Sequence, residues 1–202
     1  YLNKADFIEV QTPIITSNDC EGAGELFGVT LPGKNVGEGT DGATDGATTF
    51  FNKPAYLTVS GQIHAEALAS SMGRVYTFGP TFRAENSNTS RHLCEFWMIE
   101  PEMAFANMDN AIDIATGTLQ HTFTHVLEQC PEEMDFFGQQ SNGNQGNSGN
   151  NNGTPTPRNT IEQALQHTAF ARMTYTEAVK ALSNSSLTSA PPTWGMDLNS
   201  EQ

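Results

Sequence analysis

The sequence predicts an α+β fold, an antiparallel sheet flanked by helices. Three observations carry this. Val75–Arg83 and Phe96–Phe105 are rich in aromatic and β-branched residues and are separated by the polar stretch Ala84–Glu95, the pattern of two long antiparallel strands and their connection. Tyr56–Ser60 alternates like a strand and runs directly into a helical pattern. Ile112, Ala115, Leu119, Phe123, Val126 and Leu127 fall on one face of a further helix.

Taken in chain order, Tyr56–Ser60 reads as a strand and Gln62–Met72 as a helix with Ile63, Leu68, Ala69 and Met72 near helical spacing and Gly73 as its stop. The strand pair follows. Asn110 then suits a helix N-cap, and Asp113 places a negative charge near the helix start. Thr160–Leu182 offers a shorter helical pattern, around Ile161, Ala164 and Leu165 and again around Ala178, Val179 and Leu182. Ala190–Gln202, with Pro191-Pro192 and Trp194-Gly195, reads as an irregular connection; Trp97 and Trp194 are expected in the core.

A chain of 202 residues with 37% apolar content suits one globular domain. Two segments interrupt it. Residues 33–49, with the tandem Thr-Asp-Gly-Ala of Thr40–Ala47, and residues 139–157, whose first part is Gln, Ser, Asn and Gly only, offer almost nothing large to bury against the entropy of ordering, and are expected to be surface or disordered inserts. No apolar run approaches the length needed to span a bilayer, and no leader peptide is visible before Tyr1. The three cysteines, Cys20, Cys94 and Cys130, are too scattered for a disulfide framework or a metal site, which favours reduced thiols. A net charge of −14 with nine Lys and Arg excludes a protein that holds polyanions by bulk electrostatics alone.

Chemistry is concentrated in Phe82-Arg83-Ala84-Glu85 and Arg91-His92-Leu93-Cys94-Glu95-Phe96. An arginine at a strand end, a carboxylate two residues on, an Arg-His pair on the loop and an aromatic ring opening the return strand together suit a nucleotide. The same residues could instead be solvated cross-strand ion pairs worth about 0 to 1 kcal/mol.

The whole run from Phe78 to Glu102 closely resembles motif 2 of the asparaginyl-tRNA synthetases, within the class II subgroup shared with the aspartate and lysine enzymes. Phe7–Thr16 resembles motif 1 of that family, and Cys20–Phe27 and Leu57–Gln62 resemble its amino-acid-binding segments. The resemblance implies a catalytic domain incomplete at both ends: motif 3, the Mg²⁺ ligands and the anticodon-reading barrel are expected outside this stretch, and residues 1–202 alone are expected to be inactive. It implies that Arg83 is catalytic, bridging the substrate carboxylate and the α-phosphate of ATP. Glu85 would meet the adenine amino group, Phe96 would stack on adenine, and Arg91 and His92 would hold the outer phosphates. Glu21, Ser60 and Gln62 would recognise the α-amino end of the amino acid.

Aspartate enzymes of the subgroup carry a lysine three residues after the glutamine that matches Gln62, and here that position is Ala65. Lacking that cation, the site is expected to disfavour a second carboxylate by on the order of 1 to 3 kcal/mol, so asparagine is the expected substrate. The resemblance further implies ATP and Mg²⁺, tRNA(Asn) as partner and a homodimer formed through the motif 1 region that contains Pro13. Its bacterial and organellar wording points to a mitochondrion or other organelle, with the cytoplasm as the alternative. A truncated, non-catalytic paralogue and a tRNA-independent ligase of asparagine-synthetase type are the rival readings.

Overall fold

The computed structural model describes residues 1–20, 26–30, 49–50, 53–85, 92–143, 156–166, 170–184 and 192–196. The segment 33–48 and residues 144–155 lie outside the described residues, and so does most of each expected insert.

The described elements are a 3₁₀ turn at Leu2–Ala5, strands β1 (Ile8–Glu9), β2 (Ile15–Thr16), β3 (Thr49–Phe50), β4 (Lys53–Pro54) and β5 (Tyr56–Leu57), helix α1 (Gln62–Met72), strands β6 (Arg74–Phe82) and β7 (Glu95–Met103), and helices α2 (Met108–Gln129), α3 (Pro131–Gly143), α4 (Pro157–Gln166) and α5 (Tyr175–Ser183). The chain divides into two compact units, Tyr1–Thr118 and Leu119–Gln202.

In the first unit the sheet order is β1-β6-β7, with β1 parallel and β7 antiparallel to β6. The register sets Thr77 opposite Glu100 and Thr81 opposite Phe96, so these four share one face, while Tyr76, Phe78 and Pro80 share the other with Pro101, Ile99 and Trp97. At the first face α1 presses Ala65 and Ala69 onto Val10 and Val75, with Leu68 beside them. The expected stripe is therefore rotated: Ile63 and Met72 are exposed, because the close approach of α1 to the sheet admits only small side chains. At the other face Leu2 and Phe7 pack on Tyr76, joined by Met103 and Ile114. Tyr76 Oη donates to Glu9 at 2.9 Å; that bond, then burial, then the Glu9 charge raise its phenol above the ordinary range.

Helix α1 ends as its sequence predicts: Gly73 takes φ +85°, where a Cβ is strained, and its N–H donates to Ala69. The strand before it is shorter than expected. The Thr58 backbone still donates to Ile14 and accepts from Phe82, whereas Ser60 turns locally: Thr58 Oγ1 donates to the Ser60 carbonyl at 2.6 Å and accepts from its N–H. The cap of α2 also differs. Asn107 and Asn110 each accept the other's backbone N–H at 3.0 Å, so Asn107 is the cap and Asn110 its reciprocal partner, and Asp109, not Asp113, is the acid in the first turn.

In the second unit, α3 was not expected; its Pro131-Glu132-Glu133 start is a good helix opening, and the helix continues into the segment read as insert, to Gly143. The insert's other end, Pro157, opens α4. The pattern at 160–182 resolves into α4 and α5, and α5 begins with a capping box in which Thr174 and Glu177 bond reciprocally. Neither tryptophan is in the core. Trp97 is 60% exposed against Phe78, and Trp194 is 71% exposed, edge-on to Tyr175, with its indole N–H on Thr176. Among the described residues no helix is long and apolar enough to cross a membrane.

Candidate functional site

The β6–β7 hairpin positions most of the singled-out residues. Arg83 follows the last residue of β6, its N–H donating to the Cys94 carbonyl at 3.0 Å, which carries the ladder one step past the strand ends. Two residues from Thr81 along an extended chain, it stays on the face that holds Thr81 and Phe96. Its guanidinium carbon lies 5.5 Å from the centre of the Phe96 ring, a cation–π contact that orients the arginine before any ligand arrives.

Arg83, Glu85, His92, Leu93 and Phe96 line one cleft of about 350 Å³. The structure thus brings together four of the five residues assigned to a nucleotide; Arg91 lies outside the described residues. Within the cleft His92 Nε2 stands 3.5 Å from Glu85 Oε2. Separate roles are expected for these two, and here each is in reach of the other. A ligand with its own acceptor groups competes with Glu85 for the His92 imidazole.

A second cluster lies further along the same face. Ser60 is buried; its Oγ donates to Glu100 and accepts the Gln62 N–H at 3.1 Å, while the Gly61 N–H donates to the other Glu100 oxygen at 3.2 Å. Glu100 therefore grips the turn that starts α1 with both oxygens. No sequence argument singled it out, although a carboxylate opposite Thr77 on the inner face of a half-buried strand is a signal, since such a charge persists only when paired. The adjoining cavity, lined by Thr12, Thr58, Gly61, Thr77, Thr81 and Glu100 among others, is about 40 Å³, room for a few waters. Gln62, next to Gly61 in the chain, is exposed, and Glu21 lies outside the described residues.

Ala65 does not line either cavity. It is fully buried in the α1 core. The charges that are present are negative: burial first, then Glu66 and Glu100, push the Glu102 carboxyl above the ordinary range. Among the described residues no group of three His, Cys, Asp or Glu side chains is placed to hold a metal.

The family model described as class II tRNA synthetases (D, K and N) matches residues 1–201. An asparagine–tRNA ligase of a Nostoc species is 49% identical over the whole of this chain, and one of Protochlamydia amoebophila is 45% identical over the same extent. The chain spans about two fifths of these relatives, 41% of each. Among solved structures, the asparaginyl-tRNA synthetase of Pyrococcus horikoshii complexed with asparaginyl-adenylate superposes with a TM-score of 0.73 at 26% identity, covering 98% of this chain and 36% of that one. The Entamoeba histolytica asparaginyl-tRNA synthetase shares the fold, with a TM-score of 0.66 at 23% identity, covering 98% of this chain and 36% of that one.

Proposed function

Since this chain belongs to the class II tRNA synthetases of the D, K and N group, we propose that the protein it is part of activates asparagine with ATP and transfers it to tRNA(Asn). The observation that carries this is the cleft that gathers Arg83, Glu85, His92 and Phe96. A guanidinium and an imidazole to donate to phosphates, a carboxylate to accept from a base amino group and a flat ring to stack on the base together suit a nucleotide. Activation joins the amino-acid carboxylate oxygen to the α-phosphorus and expels pyrophosphate. Negative charge builds on the α-phosphoryl oxygens during that exchange, and a fixed guanidinium stabilises it without reorganising. Arg83, held at its backbone by Cys94 and at its side chain by Phe96, is the residue we assign to it.

Asparagine is preferred in this reading because Glu66, Glu100 and Glu102 make that end of the site negative and Ala65 adds no cation, so an aspartate side chain would bring a further like charge. Glu21, Ser60 and Gln62 are assigned to the α-amino end. Magnesium is proposed to enter on the phosphates of ATP, its usual partners. A homodimer through the segment around Pro13 and an organellar location, with the cytoplasm as the alternative, belong to the same reading.

The test is amino-acid-dependent pyrophosphate exchange by the full-length protein, followed by charging of tRNA(Asn). Exchange with asparagine at least about a hundredfold above aspartate is expected, a difference of roughly 3 kcal/mol; equal exchange with both would overturn the assignment.

A further inference from the structure

The side-chain amide of Gln62 is engaged at both ends. Its Nε2 donates to Glu66 Oε1 at 2.8 Å, and its Oε1 accepts from the Cys20 thiol at 3.9 Å. An amide has a donor end and an acceptor end of nearly the same shape, so an unsupported glutamine can offer either one to a ligand. A carboxylate only accepts. The end that meets Glu66 is therefore the NH₂ group, and the carbonyl is turned the other way.

The pair is set by α1 itself. Gln62 is the first residue of the helix and Glu66 lies one turn on, so the two side chains share a face whatever the surrounding loops do. On the opposite side of the amide, the thiol is a weak donor that a stronger one displaces readily. We infer that Glu66 is a positioning residue that fixes Gln62 as an acceptor toward the amino-acid subsite. This rests on the function proposed above, in which the arriving group is the α-ammonium of asparagine. An ammonium carries three N–H donors and no acceptor, so it bonds to the carbonyl end and is repelled by the NH₂ end. Glu66 thereby acts on substrate recognition without touching the substrate.

The experiment compares the full-length wild-type protein with Glu66→Gln and Glu66→Asp, using pyrophosphate exchange with asparagine and with its α-hydroxy analogue. Glutamine at 66 can present either a donor or an acceptor, so Gln62 loses its fixed polarity. The KM for asparagine is expected to rise about tenfold, the worth of one hydrogen bond to a charged group. The KM for ATP and kcat should stay within about twofold, and the preference for the α-amino over the α-hydroxy substrate should fall by the same factor of about ten. Aspartate at 66 keeps an acceptor-only group and is expected to retain most of that preference; this variant decides the matter if Glu66→Gln does not fold. An unmoved α-amino preference in Glu66→Gln, its loss in Glu66→Asp, or parallel losses in both KM values and kcat would overturn the positioning role alone. A wild-type protein that exchanges no pyrophosphate with asparagine would overturn the substrate reading and this inference with it.

Discussion

Residues 1–118 and residues 119–202 are held together by different kinds of interaction. In the first unit the decisive contacts join distant positions: Ile8 with Val75, Thr58 with Ile14 and Phe82, Ser60 with Glu100. In the second many are local: the Thr174–Glu177 capping box, the Arg158–Glu162 pair at 3.0 Å one helical turn apart, and the Thr160 hydroxyl donating to the Thr156 carbonyl at 3.2 Å, although Tyr175 also reaches Met196. Local contacts of this kind contribute tenths of a kcal/mol to about 1 kcal/mol each and can be lost one at a time. The long-range contacts of the first unit are coupled, and every candidate site residue that is described lies among them. The candidate site is thereby placed where displacing one group displaces several.

The largest effect expected from breaking that coupling is at its chemical end. Arg83→Ala in the full-length protein should lower kcat for asparagine-dependent pyrophosphate exchange by about a hundredfold or more, the usual consequence of losing a fixed group that stabilises developing charge. Retention of more than a tenth of the activity would remove Arg83 from the reaction. Next is Gly61→Ala. A Cβ there would come within 2.8 Å of both Thr12 Oγ1 and Thr77 Cγ2 and within 3.3 Å of Glu100, so the turn carrying Ser60 and Gln62 must shift. A stability loss of about 1 to 3 kcal/mol is expected, together with a higher KM for asparagine, measured by denaturant melts and kinetics.

In the second unit the matching change should be smaller and confined to stability. Thr174→Ala removes the cap of α5 and is expected to cost about 1 kcal/mol, with kcat and KM unmoved. Any change in the asparagine KM would show that the effect is not confined to the second unit.

The smallest effects distinguish the units by the sign of their pH dependence. Glu102 is raised by burial and by its acidic neighbours, so its ionisation opposes folding once pH exceeds the ordinary glutamate range. Glu102→Gln should raise Tm at pH 7 and make no difference at pH 3. Glu177 is lowered, first by the backbone N–H of Thr174, so its ionised form supports folding above the ordinary range and that support is lost as pH falls through its lowered value. Glu177→Gln should lower Tm at pH 7, and that difference too should vanish at low pH.

Much of the first unit was legible in the sequence because its patterns are local even where its contacts are not. The alternation of β6 and β7 located both strands to within about a residue or two. Gly73 marked the end of α1 because only a glycine sits easily at its φ. What stayed hidden depends on which face meets which. Ile63 and Met72 look more like core residues than Ala65, but the separation between α1 and the sheet selects the smaller ones. Trp97 lies on an uncovered part of the sheet face, which no single-strand pattern reveals. Within the site, the motif named Arg83, Glu85, His92 and Phe96, whereas Glu66 and Glu100 emerge only when the helix start and the strand register are seen together.

The parallel pairing of β1 with β6 also sets an order of events in synthesis. Ile8 leaves the ribosome well before its partner Val75 is made, and at roughly 5 to 20 residues per second that interval is on the order of 3 to 14 seconds. Until then Leu2 and Phe7, which end up buried on Tyr76, have no surface to settle on. The β1 segment is made before β6 and can be placed only after it, so nascent chains stalled between the two should be the ones a chaperone finds.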